Sequence, residues 1–315
     1  MSPRVTVAIV SETHDMRPFA ERWQALHPTH ELRLVDDLGD LKAIDVAVCW
    51  FPPPGLLRTL PNLQLIQSVG AGIEHFSTDP SFPYHIPTFR IIDPEMAAGM
   101  AAYVAWAVIS AHRGFERYAD AQRTRTWAQA VVPDSRNHEV GILGLGELGL
   151  RCATTLASLG YRVSGWSRSV KADLPSPLDC YVGAAGLPRF LSRCQTLVCL
   201  LPLTPETHGL LSARLFDQLP DGAHLINVGR GDHLVEDDLL AALCSGKISQ
   251  ATLDTFSVEP LPVDHPFWKH PNVRITPHAA TRTSIEVVAA QLLENLDDLQ
   301  NGIRSRRQVQ WARGY

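Results

Sequence analysis

Glu139-Val-Gly-Ile-Leu-Gly-Leu-Gly-Glu-Leu-Gly149 is the stretch of sequence that decides the fold. Residues 139–143 predict a buried strand, and they lead into Gly144-x-Gly146-x-x-Gly149 and a predicted helix over residues 147–159. In such a unit the first glycine permits a tight turn, the second lets the backbone approach a pyrophosphate, and the third lets helix pack on strand. The helix N-terminus also offers N–H groups to phosphates. This context indicates dinucleotide binding.

Strand-length apolar segments alternate with helical patterns along the chain, which is typical of parallel sheets built from βαβ units. The predicted strands cover residues 5–10, 31–35, 45–49, 64–68, 88–92, 139–143, 161–166, 196–200, 224–228, 248–254 and 273–275. Helices predicted at 95–117 and 283–299 are placed as two crossings between domains. We therefore predict an α/β fold with two Rossmann-like, doubly wound parallel-sheet domains. The dinucleotide-binding domain, residues 101–283, is inserted into a discontinuous substrate domain formed by residues 1–100 and 284–315.

Composition narrows the class of protein. The chain has 315 residues, of which 45% are hydrophobic and 19% charged, as expected for a soluble globular protein. A net charge of −5 without a long Lys/Arg run argues against a nucleic-acid partner, and the longest apolar stretch, residues 96–111, is too short to suggest a membrane partner. Six cysteines without a Cys-x-x-Cys pair, and no signal pattern, predict a reduced cytoplasmic protein. No metal-ligand spacing is present, so no metal is predicted.

The segment after the predicted strand 161–166 bears on cofactor choice. NAD-binding units usually carry Asp or Glu at this point for the ribose hydroxyls. This chain has Ser167-Arg168-Ser169 instead, with Lys171 close behind. An arginine and two hydroxyls suit the 2′-phosphate of NADP, so we predict NADPH as the preferred cofactor and NADH as a second one. The alternative is a solvated basic loop.

Three residues near the ends of later predicted strands form a set suited to reducing a 2-keto acid. Arg230, between Gly229 and Gly231, offers a charged planar fork that matches the substrate carboxylate. His278 can donate a proton to the carbonyl oxygen, since imidazole is the commonest general acid. Glu259 can hydrogen-bond the far ring nitrogen and favour the charged ring. Ligands of open α/β sheets bind beyond the carboxyl ends of the strands, where all three residues are placed.

These residues also have structural alternatives. The alternative for Arg230 is a surface arginine in a loop, and in a chain with thirteen histidines a single one is more often structural or exposed. His265 and His270 are the rivals for the acid, but they lie in a Pro- and Trp-containing segment typical of a surface loop. His278 is preferred because it follows a predicted strand, beside Pro277 and two alanines.

The order of the motifs resembles the D-isomer-specific 2-hydroxyacid dehydrogenase family over nearly the whole chain. The matching segments are Val69-Gly-Ala-Gly72-Ile-Glu, Gly144-x-Gly146-x-x-Gly149, Asn227-Val-Gly-Arg230-Gly, Asp254-Thr-Phe-Ser-Val-Glu259-Pro and Thr276-Pro-His278-Ala-Ala. The resemblance implies that Arg230, Glu259 and His278 are catalytic. The substrate residues that it implies are Val69, Gly70, Ala71 and Gly72, whose amides meet the carboxylate, and Trp50 is expected to shape the pocket.

The same resemblance implies the cofactor contacts. These are Gly144, Gly146, Glu147, Leu148, Gly149, Ser167, Arg168, Ser169, Leu201, Pro202, Thr207, Val228, Gly229 and Asp254. Within the family the chain looks closest to reductases of glyoxylate and hydroxypyruvate, on the segments Trp166-Ser-Arg-Ser and Leu201-Pro-Leu-Thr-Pro-Glu-Thr. This implies NADPH-linked reduction of these acids to glycolate and D-glycerate. It also implies a homodimer, and we assign residues 117–130 to its two-fold interface.

Two other functions stay open at the level of sequence. One is a D-2-hydroxyacid dehydrogenase that acts on a bulkier 2-keto acid, since the sequence does not measure the pocket. The other is a dinucleotide-sensing protein without catalysis, because a fold does not fix a function. Mixing the protein with NADPH and glyoxylate distinguishes a reductase from a sensor, since a sensor would bind the cofactor with negligible turnover.

Overall fold

The computed structural model describes residues 5–171, 174–175 and 178–311. The chain divides into two compact units. Unit 1 holds the described residues up to Asp93 and those from Arg282 onward, and unit 2 runs from Pro94 to Thr281. The predicted domain boundaries lie a few residues further along, after residues 100 and 283. The division falls earlier because the helix that begins at Pro94 packs against a helix of unit 2.

Strands and helices are numbered in chain order. The strands are β1 Thr6–Ser11, β2 Glu31–Leu34, β3 Val46–Trp50, β4 Leu65–Ser68, β5 Thr88–Phe89, β6 Glu139–Leu143, β7 Arg162–Ser167, β8 Asp179–Val182, β9 Thr196–Cys199, β10 Ala223–Asn227, β11 Ile248–Leu253 and β12 Val273–Ile275. The helices are α1 Arg17–Leu26, α2 Glu74–Ser77, α3 Pro94–Arg113, α4 Phe115–Arg123, α5 Glu147–Ser158, α6 Gly183–Leu191, α7 Ala213–Phe216, α8 Glu236–Ser245 and α9 Ile285–Gln300.

Unit 1 is built on a five-stranded parallel sheet in the order β2-β1-β3-β4-β5. All residues of β1 are buried, as expected for a strand of a parallel sheet that is covered on both faces. Ile9 packs in one core with Trp23 of α1 and Leu292 of α9. Val10, on the opposite face, packs in a second core with Phe76 of α2. The strand order reverses between β1 and β3, so the carboxyl ends of these strands mark a switch point.

Unit 2 is built on a seven-stranded parallel sheet in the order β12-β11-β10-β9-β6-β7-β8. One face packs against α3 and α5, with Val104 and Leu156 in its core, and the other packs against α6 and α8, with Phe190 and Leu239. The strand order reverses between β6 and β9, so their carboxyl ends flank the crevice where ligands of such sheets bind. The predicted fold class, two doubly wound α/β domains, is confirmed.

Several elements differ from the prediction. The strand predicted at 88–92 is shorter and ends at Phe89. The helix predicted at 95–117, with an extension around residues 123–127, is wrong in its length. It ends at Arg113, because Gly114 takes a left-handed conformation with φ of +62°, and the separate helix α4 follows to Arg123. The sequence also does not predict β8. Asp179–Val182 lies at the sheet edge, is only partly buried, and lacks the apolar run of a central strand.

The structure shows the state of the cysteines and whether any helix could cross a membrane. All six cysteines are free thiols, and Cys49, Cys152, Cys194 and Cys199 are buried. These four are therefore thiols of the protein core. Within the described ranges, no helix combines the length and the apolar character needed to cross a membrane.

Candidate active site

In the glycine-rich turn after β6, the first and third glycines have no room for a side chain, whereas the second glycine has free space beside it. Gly144 has φ of +100°, and a Cβ on it would lie 2.8 Å from the carbonyl oxygen of Leu200. A Cβ on Gly149 would overlap the carbonyl oxygen of Gly144. A Cβ on Gly146, by contrast, would meet nothing within 4 Å. The open space lies directly before the N-terminus of α5, where N–H groups lack acceptors within the helix, so the turn fits a pyrophosphate group.

The end of β7 carries the residues predicted to distinguish the two cofactors. Ser167, its last residue, is buried and donates a hydrogen bond of 2.7 Å to the carbonyl oxygen of Ser169. Arg168 and Ser169 are exposed. A bond from Thr204 lowers the pKa of Glu206, and the charge of Arg168 contributes to the same effect. The charge of Arg168 therefore acts on the loop after β9, which also contains predicted cofactor residues.

The side chain of Thr207 links two other residues of the loop after β9 by hydrogen bonds. The hydroxyl of Thr207 accepts a bond of 2.8 Å from the amide of Thr204 and donates one of 2.7 Å to the carbonyl oxygen of Pro202. Leu201, at the start of the loop, is buried. The side chain of Thr207 thus maintains the loop that was predicted to contact the cofactor.

Arg230 lies in a tight loop after β10. The buried side chain of Asn227 accepts a bond of 3.2 Å from the amide of Gly229 and donates one of 2.9 Å to the carbonyl oxygen of Arg230. The guanidinium of Arg230 is half-buried, and its Nη1 donates a bond of 2.7 Å to the carbonyl oxygen of Gly229. A Cβ on Gly231 would overlap the backbone of Phe256, so the loop lies directly against the loop after β11.

Glu259 and His278 form a pair. Nδ1 of His278 lies 2.9 Å from Oε2 of Glu259, and both side chains are about one third exposed, at 36% and 37%. Burial raises the pKa of Glu259. The bonds from His278 and from the Phe256 amide, with the charges of His278 and Arg230, outweigh that effect and hold the pKa below its usual range. Glu259 is thus a carboxylate at neutral pH. Because Nδ1 is engaged, Nε2 of His278 is the nitrogen that can exchange a proton with a ligand.

Asp254 holds the loop that carries His278. Its carboxylate accepts bonds from the hydroxyl of Thr276 at 2.5 Å and from the amides of Ala279 and Ala280 at 2.8 and 3.0 Å. Its carbonyl oxygen accepts a bond of 2.8 Å from the amide of His278, which has φ of +50°. Asp254 was predicted as a cofactor contact, and its contacts in the structure give it a role in holding this loop.

Tyr103 of α3 is a further member of this network that sequence reasoning does not find. Its hydroxyl lies 2.5 Å from that of Thr276, and since Thr276 donates to Asp254, Tyr103 is the donor. Burial raises the pKa of Tyr103 to about 12, so the phenol keeps its proton. The chain Tyr103–Thr276–Asp254 therefore ties the His278 loop to α3.

The structure brings the three predicted catalytic residues together within unit 2. Their loops follow β10, β11 and β12, which are neighbours in the sheet. The rivals are engaged elsewhere. Nε2 of His265 lies 3.1 Å from Glu236, and Nδ1 of His270 accepts a bond of 3.2 Å from the amide of Asn272. Among the residues that the structure describes, no group of side chains could hold a metal ion.

The residues predicted to bind substrate lie in unit 1 and contact one another. Trp50 ends β3, and a Cβ on Gly70 would lie 3.2 Å from its ring. Ser68, at the end of β4, accepts a bond of 3.2 Å from the amide of Gly70 and donates one of 3.1 Å to the carbonyl oxygen of Gly72. The loop from Val69 to Gly72 is thus shaped by its own preceding serine and by the tryptophan.

Comparison with known proteins identifies the family. The sequence model for the NAD-binding domain of D-isomer specific 2-hydroxyacid dehydrogenases matches residues 105–280. A glyoxylate/hydroxypyruvate reductase A from Yersinia enterocolitica is 37% identical over 285 residues, covering 88% of this chain and 90% of the relative.

Solved structures give the same result over the whole chain. A D-isomer specific 2-hydroxyacid dehydrogenase from Xanthobacter autotrophicus Py2, solved with NADPH and MES, is 37% identical with a TM-score of 0.92, covering 99% of this chain and 100% of that one. An NADPH-dependent glyoxylate/hydroxypyruvate reductase from Sinorhizobium meliloti, solved with NADP and sulfate, is 33% identical with the same TM-score of 0.92 and the same coverage of 99% and 100%. The predicted family is confirmed: the chain belongs to the D-isomer specific 2-hydroxyacid dehydrogenases and is an NAD(P)-dependent oxidoreductase.

Proposed function

We propose that this enzyme reduces small 2-keto acids with NADPH, glyoxylate to glycolate and hydroxypyruvate to D-glycerate. The observation that carries the proposal is the hydrogen-bonded pair of His278 and Glu259, 2.9 Å apart, with Arg230 on the neighbouring loop. The relatives from Yersinia enterocolitica and Sinorhizobium meliloti are both named glyoxylate/hydroxypyruvate reductases, which supports the choice of substrates.

In the proposed mechanism each residue has one role. Arg230 holds the substrate carboxylate through two parallel N–H···O bonds of its planar guanidinium. Nε2 of His278 donates a proton to the carbonyl oxygen, and Glu259 stabilises the imidazolium before the transfer. When bound, the nicotinamide supplies the hydride that the carbonyl carbon requires. Reduction of one carbonyl thus takes one hydride and one proton, and His278 recovers its proton from solvent.

The cofactor assignment rests on the turn after β6 and on the end of β7. The open space at Gly146 would hold the pyrophosphate, and Arg168 with Ser169 would face the 2′-phosphate of NADP, while the buried Ser167 hydroxyl holds the turn through its bond to Ser169. A charge-assisted bond contributes roughly 1.5–3 kcal/mol, so one arginine can give a preference of roughly tenfold to a hundredfold for NADPH over NADH. Thr207, Val228 and the remaining predicted cofactor contacts stay part of this proposal.

Substrate size is assigned to the loop Val69–Gly72 and to Trp50. The indole lies against Gly70, which has no side chain of its own, so a bulky ring already occupies the space beside the loop. This favours acids as small as glyoxylate and hydroxypyruvate over bulkier 2-keto acids. Ala71 and its neighbours would offer backbone amides to the substrate carboxylate.

We also propose a cytoplasmic homodimer joined through residues 117–130. Trp127 is 96% exposed, and the nearby Val131 and Val132 are 90% and 61% exposed, more apolar surface than a solvated segment needs. A second copy of the chain presenting the same patch would cover it. Light scattering that gives the mass of a monomer at micromolar concentration would contradict the dimer.

Initial rates with a panel of acids test the activity directly. We expect glyoxylate and hydroxypyruvate to exceed pyruvate and phenylpyruvate in kcat/KM, and NADPH to exceed NADH. Arg168→Ala should raise the KM for NADPH and leave that for NADH nearly unchanged. Arg162→Ala, which removes the same charge at the other end of β7, is the matched control and should change neither. Cofactor binding without turnover would contradict the proposed function, and equal efficiency with both cofactors would contradict the role of Arg168.

A further inference from the structure

His233 is a buried histidine directly behind the Arg230 loop. It ends the short 3-10 turn Gly231–His233, and its side chain has no exposed surface. Its Nδ1 lies 2.9 Å from the backbone nitrogen of Arg230. The same nitrogen also lies 3.1 Å from the carbonyl oxygen of Arg230. Because an amide N–H can only donate, Nδ1 accepts from the Arg230 amide in the tautomer whose proton lies on Nε2.

The other ring nitrogen reaches the loop after β9. Nε2 lies 3.3 Å from the carbonyl oxygen of Pro202, the same oxygen that accepts the bond from Thr207. The ring also lies next to Gly229, where a Cβ would come within 2.9 Å of Nδ1. The imidazole thus fills the space between the loops after β9 and β10 and is bonded to both.

Both polar atoms of Arg230 in the main chain are therefore held by buried side chains. Asn227 donates to its carbonyl oxygen at 2.9 Å, and His233 accepts from its amide at 2.9 Å. The position of the guanidinium depends on the direction of this backbone, and misplacement of a substrate-positioning group by about 1 Å can cost on the order of a hundredfold in rate.

We propose that His233 is a positioning residue that fixes the backbone of Arg230 so that the guanidinium meets the substrate carboxylate. This rests on the proposed function, which assigns the carboxylate to Arg230. His233 itself touches neither the substrate nor the reacting atoms. Its loss should therefore raise the KM for the keto acid by more than it weakens NADPH binding, which the ring can affect only through its bond to Pro202 and its contact with Gly229.

Two substitutions separate the bond from the volume of the ring. His233→Leu fills the space but accepts no hydrogen bond. His233→Asn places a side-chain oxygen near the position of Nδ1, where it can accept from Arg230, but is too short to reach Pro202. The loss of one such bond corresponds to roughly threefold to tenfold in affinity. We expect the leucine variant to raise the KM for glyoxylate by that factor and the asparagine variant to restore most of it.

A control histidine on the same strand tests for a general structural effect. His224, in β10, is also buried, but its Nε2 bonds to Thr252 and it lies at the other end of the strand from Arg230. His224→Leu should change thermal stability without changing the KM for glyoxylate. An unchanged KM in His233→Leu, or an increase of the same size in His224→Leu, would overturn the proposal.

Amide hydrogen exchange tests the same bond without turnover. The peptide that spans Asn227 to Leu234 should exchange faster in His233→Leu than in the wild type, and at nearly the wild-type rate in His233→Asn. Equal exchange in the leucine variant and the wild type would overturn the role of His233 even if the enzyme is active. A wild-type protein that reduces no keto acid would instead contradict the proposed function, while the exchange result would still decide whether His233 holds Arg230.

Discussion

At the scale of single residues, the orientation of His278 depends on neighbours that do not themselves react. Its φ of +50° is uncommon for a residue other than glycine. Such a conformation costs of order 1–3 kcal/mol and persists only where the surroundings enforce it. Asp254 does so by accepting bonds from the amides of His278, Ala279 and Ala280. The ring therefore keeps one direction toward Glu259.

The clamp assigned to Arg230 can be tested by keeping its charge and changing its shape. Arg230→Lys retains the positive charge but loses the planar fork, so it should not rescue substrate binding. We expect kcat/KM for glyoxylate to fall roughly tenfold to a hundredfold, with NADPH affinity unchanged. Steady-state kinetics and a fluorescence titration of NADPH measure both, with Arg162→Lys as the control. Near wild-type kinetics for Arg230→Lys would show that this residue does not hold the carboxylate.

Sequence reasoning locates the three candidate catalytic residues because each follows an apolar strand in a distinctive motif. It does not find Tyr103 or His233, because their partners come from distant parts of the chain. Tyr103 precedes Thr276, which it bonds, by 173 residues. The motif around Asp254 marks the residue as functional, but only the structure shows that its carboxylate carries three bonds to the His278 loop.

At the scale of elements, the three glycines of the turn after β6 differ in what a side chain would meet. Gly149 lies against the carbonyl of Gly144, so helix α5 can approach β6 only without a Cβ at this position. Gly146 has open space around it and an ordinary φ of −83°. The fold would therefore tolerate a side chain at Gly146, but a ligand bound in this space would not.

A pair of alanine substitutions separates these two roles. Gly146→Ala should leave the thermal unfolding temperature unchanged but weaken NADPH binding, because the methyl group enters the space assigned to the pyrophosphate. Gly149→Ala should lower the unfolding temperature, because its methyl group overlaps backbone that cannot yield easily. Calorimetry and a cofactor titration measure the two effects. Wild-type NADPH affinity in Gly146→Ala would place the pyrophosphate elsewhere.

The strands could be predicted from the sequence because buried parallel strands are apolar runs with sharp ends. Residues 139–143, for example, form β6 as predicted, and all five are buried. The break at Gly114 could not be predicted, because Gly99 lies within the same helix α3 without interrupting it. Only the backbone conformation distinguishes the two glycines. Strand β8 was missed because tertiary pairing with β7, and not an apolar run, makes it a strand.

At the scale of the whole molecule, buried neutral histidines link folding stability to pH. Burial lowers the pKa of His224 to about 3 and, together with the neighbouring His112, lowers that of His138 to about 4, from an ordinary value of 6.5. Their Nε2 atoms bond to the hydroxyls of Thr252 and Thr196. The unfolded chain therefore binds protons below pH 6.5 that the folded protein does not, and stability is lost as the pH falls from 6.5 toward 4.

The urea concentration at the midpoint of unfolding should accordingly be lower at about pH 5.5 than at about pH 7.5. The buried His224 adds at most about 1.4 kcal/mol per pH unit to the pH dependence of the free energy of unfolding, and the partly exposed His138 adds less. His224→Leu removes one titrating group, so its midpoint should vary less with pH than that of the wild type. Equal pH dependence in the two proteins would mean that His224 takes up its proton without unfolding.

The central claim is that His278 donates the proton when NADPH reduces a keto acid. The most direct measurement is single-turnover oxidation of bound NADPH by saturating glyoxylate, compared among the wild type, His278→Ala and the control His270→Ala. Loss of a positioned general acid should slow His278→Ala by roughly a hundredfold or more, with NADPH affinity unchanged and His270→Ala at the wild-type rate. A His278→Ala enzyme that turns over at the wild-type rate would contradict the account.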